Sequence, residues 1–154
     1  MNVVLISTYE SGHQPFGLAS PVAWLKAEGV LVTCLDLSIQ SLAKEPIASA
    51  DLVAFYIPMH TATKIAINTV EKVKRINPDT HLCFYGLYAP MNESSLRELG
   101  ADTILGGEFE TELVALVKRL DLSQKQSNVN HQVESTVSLS KQIFLIPDRS
   151  GLPN

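Results

Sequence analysis

A chain of 154 residues with 45% hydrophobic and 18% charged positions fits one well-cored domain. Its formal charge of −4 leaves no clustered basic face for nucleic acid; Lys72, Lys74 and Arg75, the densest basic group, share a helix with Glu71 and read as a solvated face. The opening apolar run, Met1–Ile6, has no basic n-region and is too short for a leader or a membrane span, so a cytoplasmic location without a membrane partner is expected.

Apolar runs then alternate with helix-period segments, the pattern of a parallel sheet covered on both faces. The first strand is Val3–Ser7. A long polar loop, Thr8 to Gly17, leads into a helix ending near Glu28-Gly29. Pro21 belongs in that helix's first turn with Ser20 as its cap, or kinks it if the helix starts nearer Pro15. The second strand is Leu31–Leu37, followed by a short segment, 38–44. The third strand, Leu52–Ile57, stops at Pro58. Thr61 or Thr63 then caps a helix in which Ile65, Ala66, Val70, Val73 and Ile76 fall at helical spacing. His81–Tyr85 is the fourth strand, and Asn92 or Ser94 opens a short helix closed by Gly100. Asp102–Leu105 is the fifth strand, ending in Gly106-Gly107, and the last helix runs from about Glu108 to Leu120. Cys34 and Cys83 lie inside strands and read as packed thiols in a reducing compartment; no segment has the spacing of a zinc or iron–sulfur site.

Residues 123–142 are rich in Ser, Gln, Asn and Val without a period and read as a linker. Ile143–Pro147 is an apolar patch suited to docking, and 148–153 has the character of an inter-domain connection. The expected division is an α/β domain over 1–122 and a polar connection over 123–154 directed towards a missing catalytic domain, so the chain reads as a fragment of something longer.

The expected architecture is a doubly wound five-stranded parallel sheet, flavodoxin-like, in the order 2-1-3-4-5. Such sheets bind ligands outside the carboxyl ends of the strands, where the chain reverses direction between strands one and three. The candidate residues therefore lie in the strand-to-helix loops. In the first, Gly12 allows close backbone approach, His13 offers an imidazole to a metal or simply to the loop, and Gln14 and Phe16 follow. After the third strand come Tyr56, Pro58, Met59 and His60, the last either a site residue or an exposed helix entrance. Tyr85, Gly86, Leu87 and Tyr88 set rings beside a glycine, to line a flat ligand or to pack the sheet's end. Gly106 and Gly107 leave a wall without side chains that admits a large planar or ribose-containing group, or else make a tight turn. Glu108 closes the same ligand-facing loop and is a candidate with the two glycines; both it and Glu110 also meet the helix dipole, which by itself accounts for them. Ser7-Thr8, Ile57-Pro58 and Gly106 stand where a phosphoacceptor needs acids and a lysine. No G-x-G-x-x-G follows the first strand, and no nucleophile elbow occurs.

Three segments carry a family resemblance. Gln14-Pro15-Phe16-Gly17-Leu18 through Leu25 is similar to a P-x-G-L-x-x-L-A-x-x-L helix opening, Ala50–Phe55 to a third strand, and Gly100-Ala101-Asp102 through Glu110 to G-x-D-x-x-x-x-G-E-x-E. Together, over roughly residues 3–120, they resemble the N-terminal cobalamin-binding domain of cobalamin-dependent radical SAM proteins. The resemblance implies a cobalamin across the carboxyl ends of the strands, its nucleotide tail beside Gly106-Gly107, and its cobalt facing a partner domain in cis or in trans. That partner would hold S-adenosylmethionine and an iron–sulfur cluster on a C-x-x-x-C-x-x-C motif absent here, so this chain alone holds no complete active site. In the D-x-H-x-x-G signature of other cobalamin carriers His is the lower cobalt ligand; here Ser11 replaces the Asp and the glycine comes one residue late, leaving His13 as a candidate ligand only. Two other readings stand beside this one: a regulatory or interaction domain that kept the fold without the cofactor, and a stand-alone binder of flavin or another small molecule.

Overall fold

Six runs of residues suited to extended chain pair into one sheet in the computed structural model, which describes residues 1–125 and 133–153. The strands are β1 (Asn2–Ser7), β2 (Leu31–Asp36), β3 (Leu52–Tyr56), β4 (His81–Tyr85), β5 (Thr103–Gly107) and β6 (Glu134–Ser138), in the order β2-β1-β3-β4-β5-β6. Every pairing is parallel. A parallel connection needs a crossover, and the helices supply it on both faces. Helices α1 (Phe16–Ala27) and α5 (Glu110–Lys125) cover one face, over Val3, Leu5, Ala54, Cys83 and Tyr85. Helices α2 (Lys44–Ala48), α3 (His60–Ile76) and α4 (Glu93–Glu98) cover the other, over Val4, Ile6, Val53, Phe55 and Phe84. The strands read as unbroken apolar runs because both faces are buried. Among the described residues no helix is long and apolar enough to cross a membrane.

The doubly wound class and the order of the first five strands match the expectation, but the sheet has six strands. Glu134–Ser138, inside the stretch expected to be a linker, pairs with β5 from Thr103↔Glu134 to Gly107↔Ser138. Arg97 draws it in: its guanidinium donates to the carbonyls of Ala101 and Asp102 at the foot of β5 and to that of Glu134. Helix α5 also runs five residues further than expected, to Lys125. The rest of the expected linker, 126–132, lies outside the described residues.

Of the two starts open for the first helix, the one nearer Pro15 holds: α1 begins at Phe16, so Pro21 lies inside the helix and Ser20 does not cap it. Helix α3 begins at His60; Thr61 does not cap it, and the Thr63 hydroxyl donates back to the Met59 carbonyl at 3.2 Å. Helix α2 begins at Lys44, the last residue of the short segment expected after β2.

Beyond β6 the chain returns over the α1/α5 face. Asp148 binds it there twice, its amide donating to the Ala19 carbonyl and its carboxylate pairing with Lys26 at 2.7 Å, and Leu152 enters the core. The apolar patch expected to dock does so only in part: Ile143 and Ile146 stay about nine-tenths exposed, while Phe144 reaches a cavity.

Candidate functional site

The carboxyl edge of the sheet is organised by one proline. Pro21 has no N–H to donate to the carbonyl four residues back, so Gly17 would be left with an unmet acceptor inside the protein. The Tyr85 hydroxyl, at the end of β4, donates to that carbonyl at 2.7 Å. Gly17 can be approached because it has no Cβ; one built there would overlap the Tyr56 ring. Tyr56 and Tyr85 are register partners at the ends of β3 and β4, so their rings leave the same face of the sheet. Phe109, just ahead of α5, completes the cluster, with centroids 4.9 Å from Tyr85 and 6.2 Å from Tyr56; Tyr56 and Tyr85 lie 5.5 Å apart. Each such pair contributes about 0.5–1.5 kcal/mol beyond its buried area. This plug fills the sheet's end between α1 and α5.

A buried polar bond locks the same region. The Ser20 hydroxyl donates to Glu110 Oε1 at 2.7 Å across ninety residues of sequence. Gln142, from the returning chain, donates to Glu110 Oε2 at 2.8 Å and to Glu108 Oε2 at 3.3 Å. Glu110 is therefore buried and held at both oxygens, a role beyond the helix-dipole partner expected of it.

The glycine wall is not open as expected. A Cβ on Gly106 would collide with the Pro90 ring and press on Val137, and one on Gly107, at φ +68°, would strike the Ser138 carbonyl. The absent side chains make room for Pro90 and β6 of the chain itself. Gly86, at φ +111°, similarly turns the chain under the Ile57 carbonyl, 2.9 Å from where its Cβ would be.

Among the described residues, two cavities lie at this edge. One, of about 320 Å³, lies above the plug between Phe16, Tyr56, Leu87, Phe109 and Phe144, with Gly107, Glu108 and Glu110 at its side. The other, of about 390 Å³, lies beside β2 between Gly12, His13, Gln14, Asp36, Ser38, Ile39 and Pro153. The expected site residues thus divide. Gly12, His13 and Gln14 belong to the second cavity. Phe16, Tyr56, Leu87, Gly107 and Glu108 belong to the first. Tyr85, Gly86 and Gly106 are buried beneath, whereas Pro58, Met59, His60 and Tyr88 line neither cavity. His60 is an exposed helix start, and Tyr88 packs on the α3/α4 side of the sheet. Phe109, Phe144, Gln142 and Asp36 were missed. Phe109 was hidden as an ordinary residue before a helix, and the tail residues gave no local pattern.

Asp36 brings a carboxylate to the second cavity. Ser7 is the register partner of both Asp36 and Tyr56, so a carboxylate, a hydroxyl and a phenol stand in a row at the reversal between β1 and β3. Asp36 Oδ1 is held by the Ser38 amide and hydroxyl. Among the described residues, the fully buried Ser7 hydroxyl and Glu10 Oε2 find no hydrogen-bond partner. Burial first, and then Asp36, push the Glu10 carboxyl up, against the opposing pull of His13. Burial likewise pushes the Tyr56 phenol up to about 12, and it raises that of Tyr85 as well. Cys34 is raised to about 12 and Cys83 also upward, both chiefly by burial, so neither thiol is a nucleophile near neutrality.

Against a cobalamin, the residues fit in one part and not in another. The exposed apolar rim of Phe16, Leu87 and Phe144 suits the face of a flat macrocycle. The tail position beside Gly106-Gly107 does not fit, since Pro90 and β6 occupy it. His13 is an exposed loop residue in the other cavity, and among the described residues no group of three or more His, Cys, Asp or Glu could hold a metal by itself.

Fold and edge together define a doubly wound parallel α/β domain, a class in which ligands bind outside the carboxyl ends of the strands. No protein-family model matches the chain, and a search of curated proteins finds no match.

Proposed function

We propose that this chain is the cofactor-facing module of a corrinoid-dependent radical SAM system, carrying a cobalamin at the carboxyl edge of its sheet for a catalytic domain in cis or in trans. One convergence supports the reading. The helix opening Gln14–Leu25 and the segment Gly100–Glu110, which carry most of the resemblance, meet through the buried Ser20–Glu110 bond directly beneath an open apolar rim. A bound corrinoid supplies a cobalt centre able to carry a methyl group or an electron. The chain's own part is to seat it: Phe16, Leu87 and Phe144 meet the ring's apolar face, while the plug keeps water from the sheet beneath. A cytoplasmic location belongs to the same reading.

The test is retention. The purified chain is mixed with hydroxocobalamin, desalted, and its visible spectrum recorded. Corrin bands that stay with the protein are the expected result. A second reading, the same fold serving as an interaction domain without the cofactor, is favoured by the closed glycine wall and predicts a colourless protein. Flavin absorption in the protein as purified would point instead to a small-molecule binder.

A further inference from the structure

We propose that the cleft beside β2 is a binding site for a small primary amine, its ammonium group held by Asp36, Glu10 and Ser7. The site lies apart from the apolar rim and does not rest on the corrinoid reading. Three oxygens stand together there with hydrogen bonds unmade. Asp36, a buried carboxylate that lines the cleft, gives Oδ1 to the Ser38 amide and hydroxyl, while its Oδ2 accepts nothing among the described residues. Ser7 stands in register with Asp36 on the neighbouring strand, so its hydroxyl leaves the same face of the sheet. That hydroxyl is sealed from solvent and, among the described residues, has no partner. Glu10 Oε2 is the third, likewise buried and unpartnered, on a carboxyl near enough to Asp36 to be raised by it. Buried polar atoms are nearly always paired, so three unmet ones at one place point to a missing partner.

The chemistry of that partner follows from what the three oxygens lack. All of them can accept, and among the described residues no Lys, Arg or His forms an ion pair with either carboxylate. A primary ammonium carries three N–H donors and a positive charge, which matches three acceptors and an acidic pair. A neutral alcohol of the same shape brings donors but leaves the charge unmet. A metal ion suits the cleft less well, since among the described residues no group of three or more His, Cys, Asp or Glu is placed to hold one. Size and walls fit the rest of a small amine. The cleft, about 390 Å³, is within the range of small-molecule sites. Gly12, where a Cβ would meet nothing within 4 Å, keeps its mouth open, and Ile39 and Pro153 offer apolar surface to a short methylene chain.

The experiment compares two probes that differ only in the charged group. 1,4-Diaminobutane and its neutral analogue 1,4-butanediol are titrated separately into the full chain, with binding followed by the amide NMR shifts of residues 7–14 and 36–39. Saturable binding of the diamine, about tenfold or more tighter than that of the diol, is expected, because hydrogen bonds to charged groups are the stronger ones. Asp36→Asn should weaken the diamine by about tenfold or more. Ser7→Ala separates a ligand-binding role from a structural one. Losing an unpartnered buried hydroxyl should raise the urea midpoint of the free chain, yet weaken the diamine by about threefold or more. Diamine shifts that do not saturate, equal affinity for the diol, or undiminished diamine binding by Ser7→Ala would each overturn the proposal.

Discussion

The two halves of the carboxyl edge are built on opposite principles. Over β3, β4 and β5 the edge is closed: rings meet rings, Gly17 accepts from Tyr85, and Glu110 is held by Ser20 and Gln142. Over β1 and β2 it is unfinished: among the described residues, the Ser7 hydroxyl at the end of β1 and Glu10 Oε2 are buried without partners beside Asp36, and the loop beyond turns through positive φ at Ser11 and Gly12. Satisfied buried groups stabilise, whereas unsatisfied ones cost about 1–3 kcal/mol each and persist where something else compensates. The closed half is thus a packed base beneath the apolar rim, and the unfinished half holds buried polar atoms whose cost is not offset by hydrogen bonds among the described residues.

Gly17→Ala gives the sharpest contrast between a packed end and a vacant cleft. Inside a helix, replacing Gly by Ala ordinarily stabilises by up to about 1 kcal/mol. Here the added methyl meets the Tyr56 ring, and overpacking of this kind costs about 1–3 kcal/mol. Urea denaturation should therefore show net destabilisation, whereas a stabilised variant would mean that the ring leaves room. A smaller effect of opposite sign is expected in the unfinished half. Glu10 has its folded-state pKa raised, chiefly by burial, so its favourable contribution is present below about 4.5 and is lost as pH rises through the folded value. At neutral pH the half-buried carboxylate weakens the fold, and Glu10→Gln should raise the urea midpoint at pH 7 and leave it nearly unchanged at pH 4. A lowered midpoint at pH 7 would show that the carboxylate is paired.

How far these halves could be read from sequence depended on whether a residue's neighbours were close along the chain. β4 was legible to the residue, and β1 and β3 to within one, because buried parallel strands are runs of Val, Ile, Leu and aromatics. β6 was not: Glu134–Ser138 is a polar edge strand of alternating exposure, held by register with β5 and by Arg97 from a distant helix. Gly106 and Gly107 correctly announced a close approach, but a glycine reports that something comes near and not whether it is a ligand or the chain's own Pro90 and Ser138. Pro21 left two helix starts open for a physical reason. The usual place for proline is the first turn, and its tolerance deeper in α1 depends on a tyrosine sixty-four positions later that serves the carbonyl it orphans.

That last dependence offers the most direct test of the closed edge, a double-mutant cycle between Tyr85 and Pro21 read by equilibrium denaturation. Tyr85→Phe alone removes the hydroxyl from a buried carbonyl and should cost about 1–3 kcal/mol. In a Pro21→Ala background the restored backbone N–H at position 21 can serve Gly17, and the cost of Tyr85→Phe should fall by at least half. Equal costs in the two backgrounds would contradict the account, because the Tyr85 hydroxyl would then not be filling the place that Pro21 leaves open.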